Sequence, residues 1–132
     1  QKIIISGIKR DISKYPDPYN YTIEFKKPIK NIVRIVLTNV LIEIPKLKTN
    51  INYYMLKLNN FNNIGSNDSN IDSCFSILYN NKNYNDEIIF DPPLSELNNF
   101  KIEILNKTGN KLNYNKSDKK LNNIFEFIIE FI

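Results

Sequence analysis

Residues 125–132 read Phe125-Glu126-Phe127-Ile128-Ile129-Glu130-Phe131-Ile132, and this stretch decides the class of fold. Phe125, Phe127, Ile129 and Phe131 fall on one side of an extended chain, and Glu126 and Glu130 on the other. That two-residue period is the mark of a half-buried strand. The same period recurs upstream. In residues 19–25, Tyr21, Ile23 and Phe25 oppose Thr22 and Glu24. In residues 74–79, Phe75, Ile77 and Tyr79 share a face, and in residues 100–105, Phe100, Ile102 and Ile104 do. Residues 2–9, 32–44, 53–61 and 87–90 complete a set of eight expected strands. The phase of residues 32–44 slips around Thr38 and Asn39, where a bulge is expected. Pro28 is expected to divide two strands, and Pro45 and Pro92-Pro93 to end two others.

No segment carries a long helical period. The best helical candidate is one short turn at residues 95–98, capped by Ser95 after the prolines. Residues 62–73 and 111–123 are long polar connections of the kind that cross between sheets. The expected architecture is therefore all-β: an antiparallel, eight-stranded jelly-roll sandwich, one domain over residues 1–132. Composition agrees. The 132 residues include 23 Ile, 8 Phe and 8 Tyr but no Ala and no Trp, which favours strands over a helical bundle. At this length about two-thirds of the unfolded surface can be buried. The chain begins at Gln1, so a processed product or a fragment is expected. No apolar run reaches the roughly 20 residues of a membrane span, and no signal peptide is visible.

The absence of His removes the commonest general base and the commonest metal ligand. Neither a Ser-His-Asp nor a Cys-His site can be built. The lone Cys74 excludes an internal disulfide and a Cys/His zinc site; in its apolar run it reads as a buried thiol. The carboxylates Asp86, Glu87, Asp91 and Glu96 lack the spacing of a calcium loop. The acids show no recognisable glycosidase pairing. No enzyme activity, catalytic residue, metal or cofactor is expected.

The net charge of +4 comes from 18 Lys and Arg against 14 Asp and Glu, and only two of the cations are Arg. Inflated Lys, Asn and Ile together reflect AT-rich codon usage, so a nucleic-acid partner is not expected. The balance runs from +6 over residues 1–50 to −4 over 51–100 and +2 over 101–132. A basic and an acidic side would suit head-to-tail contacts between copies; strands that interleave would average the asymmetry away. Four Asn-x-Ser/Thr triplets start at Asn20, Asn67, Asn106 and Asn115, about twice what so many Asn give by chance.

Three blocks stand out. Arg10-Asp11 precedes Tyr15-Pro16-Asp17-Pro18-Tyr19-Asn20-Tyr21, a stiff extended approach whose tyrosines suit a domain edge or interface. Arg10 is placed to fork onto Asp11 or Asp17. Phe25-Lys26-Lys27-Pro28-Ile29-Lys30-Asn31-Ile32 follows, a basic turn. Asp91-Pro92-Pro93-Leu94-Ser95-Glu96-Leu97 leads into the strand at Phe100. In order, Arg10-Asp11, Tyr15-Pro-x-Pro-x-x-Tyr21, Pro28-Ile-Lys-Asn-Ile-x-x-Ile35, Ile44-Pro45, Tyr53-Tyr-x-Leu-Lys-Leu58, Pro93-Leu-x-Glu-Leu97 and the Gly109-Asn110 hairpin resemble a family of small virion proteins of giant nucleocytoplasmic large DNA viruses. Lys9 and the run Leu112-Asn113-Tyr114-Asn115 depart from the family pattern.

The resemblance implies a single jelly roll in the capsid shell, as a penton or minor capsid protein, localised to the virion and assembled inside the host cell. It implies partners that are other copies of the chain, a pentamer among them, and other capsid proteins. Expected contact residues are Arg10, Asp11, Tyr15 and Tyr19 in the stiff segment, Lys26, Lys27 and Lys30 on a basic side, and Asp68, Asp72, Asp86 and Glu87 on an acidic side. The other reading of the same chain is a carbohydrate- or protein-binding β-sandwich without catalysis, because Tyr and Asn can stack on and hydrogen-bond sugars.

Overall fold

Alternating aromatic and β-branched residues produce strands along most of the chain. The structure is a computed structural model and describes residues 1–43, 53–68, 71, 74–79 and 82–132. Within them lie six strands: β1 (Lys2–Ser6), β2 (Asn20–Leu41), β3 (Tyr54–Leu58), β4 (Ser76–Leu78), β5 (Asp86–Asn106) and β6 (Ile124–Phe131). The helical pieces among these residues are two short 3-10 turns, Gly7–Lys9 and Ser117–Lys120. All strands pair antiparallel in one sheet, ordered β1-β6-β2-β5-β3-β4 and curled into a half-barrel.

The spine of the sheet is the pair β2 and β5, 22 and 21 residues long. Residues 20–24 of β2 face residues 99–103 of β5, and residues 34–37 face residues 86–89. β6 and then β1 lie beside the second half of β2; β3 and then β4 lie beside the second half of β5. Between the halves the ladder slips twice. From Glu24 to Ile29, five steps of β2 match two of β5; from Ile32 to Arg34, two steps of β2 match five of β5. Pro28 sits in the first surplus, and Pro92 and Pro93 in the second. Proline has no N–H to give a ladder, and a bulge is where a strand can carry it.

Four expected strands thus merge into two, and eight become six among the described residues. Pro28 does not divide strands, Pro92-Pro93 do not end one, and residues 95–98 continue β5 instead of forming a helical turn. Each proline reads locally as a stop, but the long partner strand carries the pairing past it. The bulge expected near Thr38 is present, as a register shift against β6 between Leu37 and Asn39. The Ile44-Pro45 break lies outside the described residues.

The curl brings the two halves face to face around one core. Phe100 of β5 meets Phe127 of β6 with ring centroids 4.8 Å apart, and Phe25 packs edge-on against Phe100 at 5.1 Å. Tyr21, Ile35, Leu37, Phe75, Phe125 and Ile129 are sealed around them. Cys74 is buried and free beside Met55 and Leu105, and burial pushes its thiol pKa up.

Candidate functional site

The expected contact residues divide by what they touch. Arg10 is buried and does not fork onto a carboxylate. Its guanidinium donates to the carbonyls of Gly7 (2.8 Å), Tyr15 (2.8 Å), Pro16 (3.0 Å) and Lys119 (3.2 Å). A planar fork with five donors satisfies several carbonyls at once, so Arg10 ties the stiff segment to the 3-10 turn near the C-terminal end. Desolvation lowers its pKa. Tyr19, expected at an interface, is buried in the core, as is Tyr21. Both rings belong to the hydrophobic core. Asp17 is half-buried and accepts from the Tyr19 backbone N–H at 2.8 Å; burial raises its carboxyl pKa.

The expected acidic side is not one free patch. Asp86 accepts from Ser76 Oγ and from Lys82 Nζ, the latter at 3.0 Å. Lys82 itself sits over the rings of Tyr84 (4.9 Å) and Tyr79 (5.4 Å), a cation held by two π faces and a carboxylate. Glu87 pairs with Arg34, whose other arm reaches Glu130 at 2.9 Å. Arg34 is thus flanked by carboxylates from both neighbouring strands, and its pKa is raised chiefly by the Glu87 hydrogen bond. Asp68 is half-buried in the loop after β3, and Asp72 lies outside the described residues. Among the described residues no three acidic or sulfur side chains gather to hold a metal ion; Asp86, Glu87, Asp91 and Glu96 are strung along β5. No helix there is long and apolar enough to cross a membrane.

The basic block lies at the surface. Lys26, Lys27 and Lys30 are all exposed in and beside the first bulge of β2, and none lies within ion-pair distance of a carboxylate among the described residues. Close to them is an open cleft of about 260 Å³. One wall carries Lys9, Asp11, Lys14 and Tyr15; the other is the strand edge at Thr22 and Glu24. Lys14 lies over the Tyr15 ring at 5.5 Å. Asp11 is exposed and accepts from Ser13 Oγ at 2.6 Å and the Lys14 N–H at 3.3 Å, and these bonds lower its pKa.

Sequence reasoning placed Thr22 and Glu24 opposite the core face but missed that their strand is an edge. Only the pairing order reveals it. β6 meets β2 from Ile32 onward, and among the described residues no strand pairs with that side of residues 20–30. Compared with known proteins, the chain matches no family model and no curated relative.

Proposed function

We propose that the chain is a structural capsid protein of a large DNA virus, a single jelly roll that works by protein–protein contacts within the virion shell as a penton or minor capsid protein. One observation carries the reading. Among the described residues, Lys26, Lys27 and Lys30 stand exposed together with no carboxylate within ion-pair distance, whereas Arg34 on the same strand is matched by Glu87 and Glu130. Charge left unmatched within a chain is available to set register between chains. The jelly-roll reading draws support from the strand order. Divided at the bend, β2 and β5 each count twice. One four-stranded half then reads β1, β6, late β2, early β5; the other reads early β2, late β5, β3, β4. Two interleaved four-stranded sheets with long connections are what a jelly roll requires.

The test is the solution mass of the purified chain, by light scattering after gel filtration at low and moderate salt. A discrete ring that dissociates in salt supports the reading, since contacts between exposed charges are screened over about 8–10 Å at such ionic strengths. The triple variant Lys26→Glu, Lys27→Glu, Lys30→Glu is expected to assemble less well while keeping a folded monomer. Unchanged assembly of that variant would remove the basic block from the interface.

A further inference from the structure

We infer that the open edge of β2 at residues 20–24 accepts an extended acidic segment of a partner protein as an added strand. The inference rests on the reading that the chain acts through protein–protein contacts, and names the chemistry of one partner.

The edge has its hydrogen-bonding groups turned outward. Lys101 of β5 stands opposite Thr22. The Lys101 C=O accepts from the Asn59 N–H at 3.0 Å, and its N–H donates to Asn59 Oδ1 at 2.7 Å. Both main-chain groups of Lys101 therefore point toward the β3 side, away from β2. In an antiparallel ladder such a pair is non-hydrogen-bonded, so the N–H and C=O of Thr22 also point away from β5. The two-residue period extends this to Glu24. Asn99, opposite Glu24, agrees: its carbonyl accepts from Asn59 Nδ2 at 3.1 Å. Among the described residues nothing meets the outward groups of Thr22 and Glu24. Unpaired edge groups are a template for a further strand.

The site has walls and a sign of charge. The open cleft beside Thr22 and Glu24 is also lined by Lys9, Asp11, Lys14 and Tyr15. It lies in line with β6, whose last pairing to β2 is Phe131 opposite Ile32, followed by a bond from the Ile132 N–H to the Asn31 carbonyl at 3.0 Å. A strand seated in the cleft would continue the line of β6 down the side of β2. Along this track stand Lys9, Lys14, Lys26, Lys27 and Lys30, all exposed, against three carboxylates, Asp11, Glu24 and Glu96, the last opposite Lys30 in the ladder. The surplus is positive, so the complementary strand is acidic. Among the described residues of a second copy, Glu87, Glu126 and Glu130 are engaged by Arg34 and Lys2 and Asp86 by Lys82, while Asp91, Glu96 and Glu103 lie on β5, already built into the sheet, so the acidic segment is assigned to a different protein.

The probe is a blocked hexapeptide alternating glutamate and valine, titrated into the isotopically labelled chain at low salt, with a lysine–valine hexapeptide as control. The largest amide shifts are expected at Thr22 and Glu24, with affinity weakened about tenfold or more when Lys9 and Lys14 are both replaced by Gln. Thr22→Pro removes the outward N–H without touching the β2–β5 ladder, because that N–H does not serve it; binding is expected to vanish while the spectrum stays folded. If Thr22→Pro fails to fold, the double lysine variant carries the decision alone. Shifts centred on β1 or β4, equal binding of the two hexapeptides, or unchanged affinity in the folded variants overturn the inference. If the peptide fails yet the chain still forms a salt-sensitive ring, the edge reading falls and the assembly reading stands; if both fail, both fall.

Discussion

Phe100 and Phe127 touch at 4.8 Å between ring centroids although they belong to opposite halves of one continuous sheet. β2 separates their strands in the pairing order, so only the curl can bring them together. Phe25 and Phe75 complete the contact from either side. Phe127→Ala is expected to cost about 3–5 kcal/mol of unfolding free energy by urea titration, as for other fully buried aromatics. Ile89→Ala, at a side chain 65% exposed, is expected to change it by less than about 0.5 kcal/mol. Equal losses at the two positions would mean that the core does not lie between the halves.

The two arginines make a contrast that denaturation can read. Arg10→Ala leaves four carbonyls without their shared donor, two of them on the stiff segment that leads into β2. A loss of about 3 kcal/mol is expected, since bonds from a charged donor are the stronger kind. Arg10→Lys recovers only part of it, because an ammonium cannot reach four acceptors in one plane. Arg34→Gln removes two ion pairs at a solvated face, and its urea midpoint is expected to stay close to that of the unaltered chain.

Gly7 lies where the 3-10 turn meets the loop before β6. A methyl group there would stand 3.2 Å from the Asn123 carbonyl and 3.4 Å from the Tyr21 hydroxyl. Among the described residues that hydroxyl is buried without a hydrogen-bond partner, as is Asn123 Nδ2. Tyr21→Phe removes a polar group that makes no bond, so it is expected to hold or raise stability by about 1 kcal/mol. Gly7→Ala is expected to lower it, since Asn123 is main chain and cannot yield. A clear loss in Tyr21→Phe would show that the hydroxyl is satisfied, for example by an internal water.

Stability should fall in alkali. Burial pushes the Tyr19 phenol from 10.0 up to about 12, and Tyr84 likewise to about 12. Below pH 10 both states keep these protons. Between pH 10 and about 12 the unfolded chain ionises while the folded chain does not, so unfolding binds fewer protons and stability declines as pH rises. The decline levels off above the folded values. Burial raises the Tyr21 phenol as well, so replacing both Tyr19 and Tyr84 with Phe is expected to make this limb of the stability–pH curve shallower without abolishing it; an unchanged slope would assign it to Tyr21 and other groups.

Period-two patterning was legible in β2 and β6 because a strand's two faces meet different solvents, and the alternation at Tyr21, Ile23, Phe125 and Phe127 records that difference; in β4 it misled, since Ser76 and Leu78 are buried while Tyr79 is exposed. The prolines were legible as residues but not as events. Pro28 and Pro92-Pro93 read as strand ends because a lone strand must end there, yet each lies in a bulge opposite a strand that continues. Arg10 was legible as a fork but not in its target, since its acceptors are main-chain carbonyls that no side-chain pattern displays, three of them nearby at Gly7, Tyr15 and Pro16 and the fourth brought in from Lys119 by the fold. The lysines at positions 26, 27 and 30 were legible because exposed charge needs no partner to be recognised.

By itself the sequence determined the all-β class, the core face of β2 at Tyr21 and of β6 at Phe125, Phe127 and Ile129, the missing chemistry of histidine and the basic block, because each depends on residues close together along the chain. The tertiary structure alone decided that Tyr19 is core, that Glu87 and Glu130 neutralise Arg34, and that residues 20–24 form an edge. Those facts depend on which strands become neighbours, and that follows from how the whole sheet curls to bury Phe100 against Phe127, a global minimum that no local pattern encodes.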